Sequence, residues 1–354
     1  MVLLGMGGFC ASLFICGVFL ACGINGWIAP TAAFVAFVAG RVIYGTFGSA
    51  APPAVQAIVA GATTREERTR ALALLASAFG LGTILGPAVA PYLVLTTPVF
   101  GIDIGLSGPA FAAAAIGVIV AAIVVRLLPR DDGVEGHGAP SAYPSIGGQS
   151  SGASVTAAMA ERSQPVGYLD PRIRGWMVIG LVMGHAQAMA GQTIGFLVID
   201  RLHLPPGEAL HPTGLVLMMG AGAALLVQWG LIPLLNLRPP MLVKIGLVLG
   251  ALGCVATGTA TTLYGIATGY ALAAAGFGFV RPGYTAGSSL AVPQEAQGSV
   301  AGKVTSVNGA SFVLGPSIGV GMYELWRPLP YLVAAAALAL LTLYAFVKLR
   351  EAKG

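Results

Sequence analysis

The sequence predicts an all-α membrane protein: a polytopic bundle of two pseudo-repeated halves, with ten transmembrane helices arranged as four plus six. Three observations carry this. Hydrophobic residues make up 56% of the 354 and charged residues only 9%, where a soluble chain carries about 25% charged residues. The mean hydropathy is +0.84, and apolar runs near the roughly 20 residues that span a bilayer recur along the chain. Finally, one stretch returns 229 positions later: Glu66 falls on Glu295, Ser77 on Ser306, Gly80 on Gly309, and Leu85-Gly86-Pro87 on Leu314-Gly315-Pro316.

In chain order the spanning segments are 1–23, 31–59, 71–95 and 107–128, then 174–199, 212–236, 241–258, 262–290, 299–323 and 328–349. Each is long and apolar enough to cross a hydrocarbon core about 30 Å thick. The first lacks a positively charged leader, which argues against a secretory signal peptide. Residues 129–173 are rich in Gly, Ser, Pro and Ala, too poor in apolar side chains to form a core, and read as a flexible cytoplasmic linker. The expected organisation is therefore an incomplete transmembrane half at 1–128, the linker, a second half at 174–349, and a tail at 350–354.

Loop charges fix an orientation. With the N-terminus in the cytoplasm, fourteen lysines and arginines fall on that side and two, Arg201 and Arg327, on the other. By the positive-inside rule both termini are cytoplasmic, in a bacterial-type inner (plasma) membrane. The net charge of +5 is thus a topology signal, and no nucleic-acid partner is expected. The cysteines Cys10, Cys16, Cys22 and Cys254 lie in apolar runs without metal-ligand spacing.

The repeat pairs segment two with eight, three with nine and four with ten, while the first resembles the seventh. Segments five and six have no partners, so the pattern reads as six plus six helices with the first two absent. Parallel repeats of this kind build many transporters.

By Gly40-Arg41-Val42-Ile43-Tyr44-Gly45, Gly82-Thr-Ile-Leu-Gly86-Pro87 and the charged loop Thr64-Arg65-Glu66-Glu67-Arg68 between them, the chain resembles the major facilitator superfamily and, within it, drug/proton antiporters of the tetracycline-efflux type. Gly40-Arg41-Val42-Ile43-Tyr44-Gly45 is similar to that family's fourth-helix motif, and Gly82-Thr-Ile-Leu-Gly86-Pro87 to its fifth-helix antiporter motif. The latter normally closes with two further glycines, where Ala90-Pro91 stands here. The loop at Gly230–Pro240 resembles a degenerate copy of the family's loop between helices two and three, lacking the acidic residue. The resemblance implies alternating access, with segment five among the helices facing the cargo.

Arg41 lies about ten residues, or roughly 15 Å, into its helix. A charge so deep must face a partner or a polar cavity, and the resemblance implies proton handling or contact with an anionic substrate. Arg281, beside Pro282, is expected nearer the cytoplasmic end, where it can snorkel. His185, Gln187 and Gln192 share segment five; a histidine at that depth can relay protons or bond a neighbouring helix. Tyr44 and Tyr270 suit an aromatic or cationic cargo, or interhelical packing. Gly45, Gly82, Gly86 and Gly315 permit close helix approach, while Pro87 and Pro316 each remove an internal hydrogen bond.

Several chemistries are not indicated. Gly80-x-Gly82 lies inside an apolar helix with no preceding strand, so it is no dinucleotide fingerprint. Gly298–Val304 has the wrong spacing for a phosphate loop. His203, Glu208 and His211 fit a solvated loop better than a metal site. No enzyme chemistry, cofactor or metal is expected. The expected activity is secondary transport of a small drug-like or amphipathic molecule, exported in exchange for protons by a monomer in the lipid bilayer. The alternatives are an uptake symporter for a sugar or organic acid, and a non-transporting receptor or truncated relic.

Overall fold

A computed structural model describes residues 2–48, 89–95, 101–127, 165–293 and 296–349, with residues 51, 54, 55, 58, 78, 82, 85, 86 and 98. The chain separates into two compact units, residues 1–73 with 89–144, and 74–88 with 145–354.

Three helices of the first unit are described: α1 (Val2–Ile24), α2 (Pro30–Thr46) and α3 (Gly108–Leu127). Pro30 starts α2, where its missing N–H costs nothing. Both α2 and α3 pack on α1. Small residues set the approach: a methyl group at Gly8 would strike Phe47, and one at Gly40 would press on Cys16 and Ile15. Asn25, just past α1, clamps the loop before α3. Its Nδ2 donates to the Asp103 carbonyl at 2.8 Å, and its Oδ1 accepts from the Asp103 N–H at 3.0 Å.

The second unit contains α4 (Arg174–Leu202), α5 (Leu210–Leu235), α6 (Pro239–Thr259), α7 (Leu263–Leu290), α8 (Gln297–Leu325) and α9 (Leu329–Lys348). These coincide with the six segments expected in 174–349. Their ends carry recognisable stop and start signals. His203 after α4 and Asn236 after α5 adopt left-handed φ of 52° and 45°, and the Thr262 side chain caps α7 by accepting from the Gly265 N–H at 3.2 Å. Within α5 the helix widens to a π turn over Leu226–Leu231, just before Pro233, whose ring has no N–H to return to Trp229.

Nine helices are thus seen among the described residues. The ten-helix count is not reached, because most of segment 71–95 lies outside those residues. Six of the nine, α1, α3, α5, α6, α7 and α9, are long and apolar enough to cross a membrane. Both α4 and α8, at 29 residues each, are long but more polar, and they pack on each other. Central α7 touches α4, α5, α6 and α8.

Residues 165–173, expected as part of the flexible linker, run as turns docked on the start of α8. The Val166 N–H donates to Ser299 Oγ at 3.0 Å, Lys303 Nζ lies 4.7 Å from the Tyr168 ring, and Val166 and Ile173 are buried. An apolar anchor at each end of this stretch explains why it is held despite its loop composition.

Candidate functional site

Helices α4, α7 and α8 bring several polar side chains of the second unit together. Gln187 and Phe312 lie near the middles of α4 and α8. Arg281 lies nine residues before the end of α7, about 13 Å at the helical rise. Its Nη2 donates to Gln187 Oε1 at 2.6 Å, and its Cζ stands 5.8 Å from the centre of the Phe312 ring. Arg281 therefore turns inward between helices rather than snorkelling to an end; the Gln187 oxygen is a stronger partner than distant water.

The surrounding packing holds these groups in place. Tyr284 Oη, fully buried, donates to the Val304 carbonyl and Asn308 Oδ1, both at 3.1 Å, tying α7 to α8. Its ring fills the space left by Gly180 on α4. Ser311 Oγ donates to the Val307 carbonyl within α8 at 3.0 Å and reaches the Leu181 carbonyl of α4 at 3.3 Å. Gly184 admits Ser311, and Gly315 sits against Ala188 and the His185 backbone. Pro316 follows inside α8, leaving the Phe312 carbonyl without its helical donor.

The other expected site residues are distributed differently. His185 Nδ1 lies 2.8 Å from the Leu181 carbonyl. A carbonyl only accepts, so Nδ1 carries the hydrogen there. Gln192 is exposed and shares the His185 side of α4, seven residues on; Gln187 lies on the other side, because two residues turn a helix by about 200°. Tyr270 is not beside Arg281. Its ring occupies the gap at Gly220 of α5, with its hydroxyl near Gly191 of α4, so it packs between helices. In the first unit Arg41 is exposed, with its Cζ 5.0 Å from the Tyr44 ring, and Tyr44 meets Phe9 edge to face at 6.1 Å. A methyl group at Gly45, Gly82 or Gly86 would meet no atom of the described residues within 4 Å; Pro87 lies outside the described residues.

A second polar cluster joins the end of α4 to the α8–α9 turn. Asp200 Oδ2 accepts from Tyr323 Oη at 2.7 Å and pairs with Arg327 Nε at 2.9 Å. The adjacent Arg201 Nη2 donates to the Gly258 carbonyl at 3.1 Å. Three features escaped the sequence reading: Phe312, the Arg281–Gln187 pair and the Asp200 cluster. Only Arg281 and Gln187 carried a signal, as polar residues within apolar runs.

Comparison with known proteins adds to this geometry. The model of the Major Facilitator Superfamily matches residues 1–316. Among curated proteins, none matches the sequence. Similar solved structures include the human organic anion transporter MFSD10 (TETRAN), with a TM-score of 0.57 at 18% identity, covering 97% of this chain and 83% of that one. The xylose transporter XylE from E. coli, in a partially occluded inward-open conformation, gives 0.59 at 16% identity, covering 100% and 81%. FucP, a transporter of the same superfamily in the outward conformation, gives 0.51 at 12%, covering 97% and 83%. At these identities the likeness is one of fold.

Proposed function

The chain belongs to the major facilitator superfamily and is an integral membrane protein, and from that premise we propose that it is a secondary transporter moving a small amphipathic molecule by alternating access. The observation that carries this is the junction of α4, α7 and α8, which sets Arg281, Gln187 and Phe312 against one another far from any helix end. Such groups are costly at membrane depth and are kept there for a pathway.

We assign the direction as export in exchange for protons. His185, held through Nδ1 on the Leu181 carbonyl, is assigned as the coupling group. A second reading, uptake of a sugar or organic acid, is supported by the similar structures of a xylose transporter and an organic anion transporter. Proteoliposomes bearing an imposed proton gradient separate the two. Gradient-driven export that a protonophore abolishes, and that His185→Ala uncouples while leaving counterflow intact, is the expected result. Movement indifferent to the protonophore would remove proton coupling. Saturable binding without any movement would favour a receptor instead.

A further inference from the structure

Arg281 is a cation at membrane depth with no anion beside it among the described residues. Its observed partners are neutral: the Gln187 amide oxygen and the face of Phe312. Nearby Tyr284 spends its hydroxyl on Val304 and Asn308. None of the chain's thirteen acidic residues falls inside a spanning segment away from its ends. In the second unit Asp200 and Glu324 stand at the ends of α4 and α8, and Asp200 is already engaged by Arg327 and Tyr323. One turn beyond Arg281, on the same face of α7, the Thr285 hydroxyl oxygen is buried with no partner among the described residues.

A guanidinium offers five N–H donors in a planar fork, and one of them here is spent on Gln187. Leaving a charge desolvated without a counter-charge is costly, and a bidentate carboxylate, sulfonate or phosphate relieves that cost best. A neutral cargo supplies no counter-charge, and a cation is repelled. Gln187 gives its oxygen to Arg281 and keeps its two amide hydrogens for an acceptor; Thr285 supplies a further donor. Phe312 offers an apolar wall.

We propose that Arg281, Gln187, Thr285 and Phe312 form the recognition site for a small organic anion with an apolar body, the anionic group on Arg281 and the body along Phe312. This rests on the transporter reading and names the cargo's charge.

The test uses the full chain in phosphatidylcholine nanodiscs and three probes of matched size: 2-naphthalenesulfonate, 2-naphthalenesulfonamide and 2-naphthylmethylammonium. Equilibrium binding is expected to favour the sulfonate by about tenfold or more over the other two. Arg281→Gln should erase that preference by weakening sulfonate binding about tenfold or more; Arg281→Lys, which keeps the charge and loses the fork, should retain part of it. Should Arg281→Gln not fold, the lysine variant alone decides: an unchanged preference in it overturns the proposal. Equal or weaker binding of the sulfonate by the unaltered chain overturns it too. Sulfonate binding lost when phosphatidylglycerol is added gives the site to a lipid phosphate and overturns the cargo assignment. In proteoliposomes, saturable movement of the ammonium or sulfonamide without the sulfonate defeats the anion assignment and leaves the transporter reading standing. Saturable sulfonate binding that is never followed by movement upholds the site and defeats that reading.

Discussion

Asp170 and Arg172 show how far a local pair acts on stability. Asp170 Oδ1 accepts from both the backbone N–H and Nε of Arg172 at 2.9 and 3.0 Å, and Oδ2 from Nη2 at 2.7 Å. The Arg172 side-chain hydrogen bonds, then its backbone N–H, hold the Asp170 carboxyl down to about 2 from its ordinary 3.8. A depressed carboxylate contributes stability that is fully present above the unfolded value and is lost as pH falls through the folded one. The expected outcome is that Asp170→Asn lowers the thermal midpoint equally at pH 5 and pH 7. The gap to the parent closes as pH drops from about 4 toward 2, as read by melting in detergent. A gap that widened on acidification would contradict this sign. The same scale shows what sequence could and could not tell. Grouping His185 with Gln187 ignored the 200° between them, which the helical period alone makes legible. That Gln187 would meet Arg281, 94 positions away, depended on helix rotation and was not legible.

Helix boundaries and helix faces differ in how plainly composition reveals them. The six spans of 174–349 were legible because apolar runs end at Gly, Pro, Asn and charged positions, such as Asn236 before Pro239. Faces were not, since a helix apolar on every side carries no amphipathic stripe to orient it. The α6–α7 seam is the clearest case. A methyl group at Gly253 would strike the Ala273 backbone, and one at Gly276 would strike the backbone of Gly250 and Gly246. Backbone cannot swing aside as a side chain can. Gly276→Val is therefore expected to cost at least about 1–3 kcal/mol, visible as a lower melting midpoint or loss of the monodisperse peak in size-exclusion chromatography. Gly222 in α5 is the control. A methyl group there meets nothing within 4 Å among the described residues, so Gly222→Ala should be neutral or add about 0.5–1 kcal/mol by restricting the unfolded backbone. If Gly276→Val matched that control, close backbone approach would not be what holds α6 to α7.

At the scale of the whole molecule the repeat read in the sequence returns in the packing. In the first unit α1 contacts α2 and α3; in the second their repeat counterparts α6, α7 and α9 pair the same way, α6 with α7 and α6 with α9. Related segments thus pack on related partners. The orientation expected from loop charge can be tested on α4, because it joins two loops of opposite expected location. Tyr168 lies exposed before α4 and Glu208 exposed after it. At 29 residues α4 is about 43 Å long, enough to place those positions on opposite sides of a core about 30 Å thick. The four native cysteines would first be replaced by alanine, leaving a background for single cysteines at positions 168 and 208. In intact cells a membrane-impermeant maleimide should label Glu208→Cys at once and Tyr168→Cys only after permeabilisation. The reverse pattern would overturn the cytoplasmic placement of the fourteen basic loop residues and, with it, the direction assigned to transport. Labelling of both in intact cells would mean that α4 does not span.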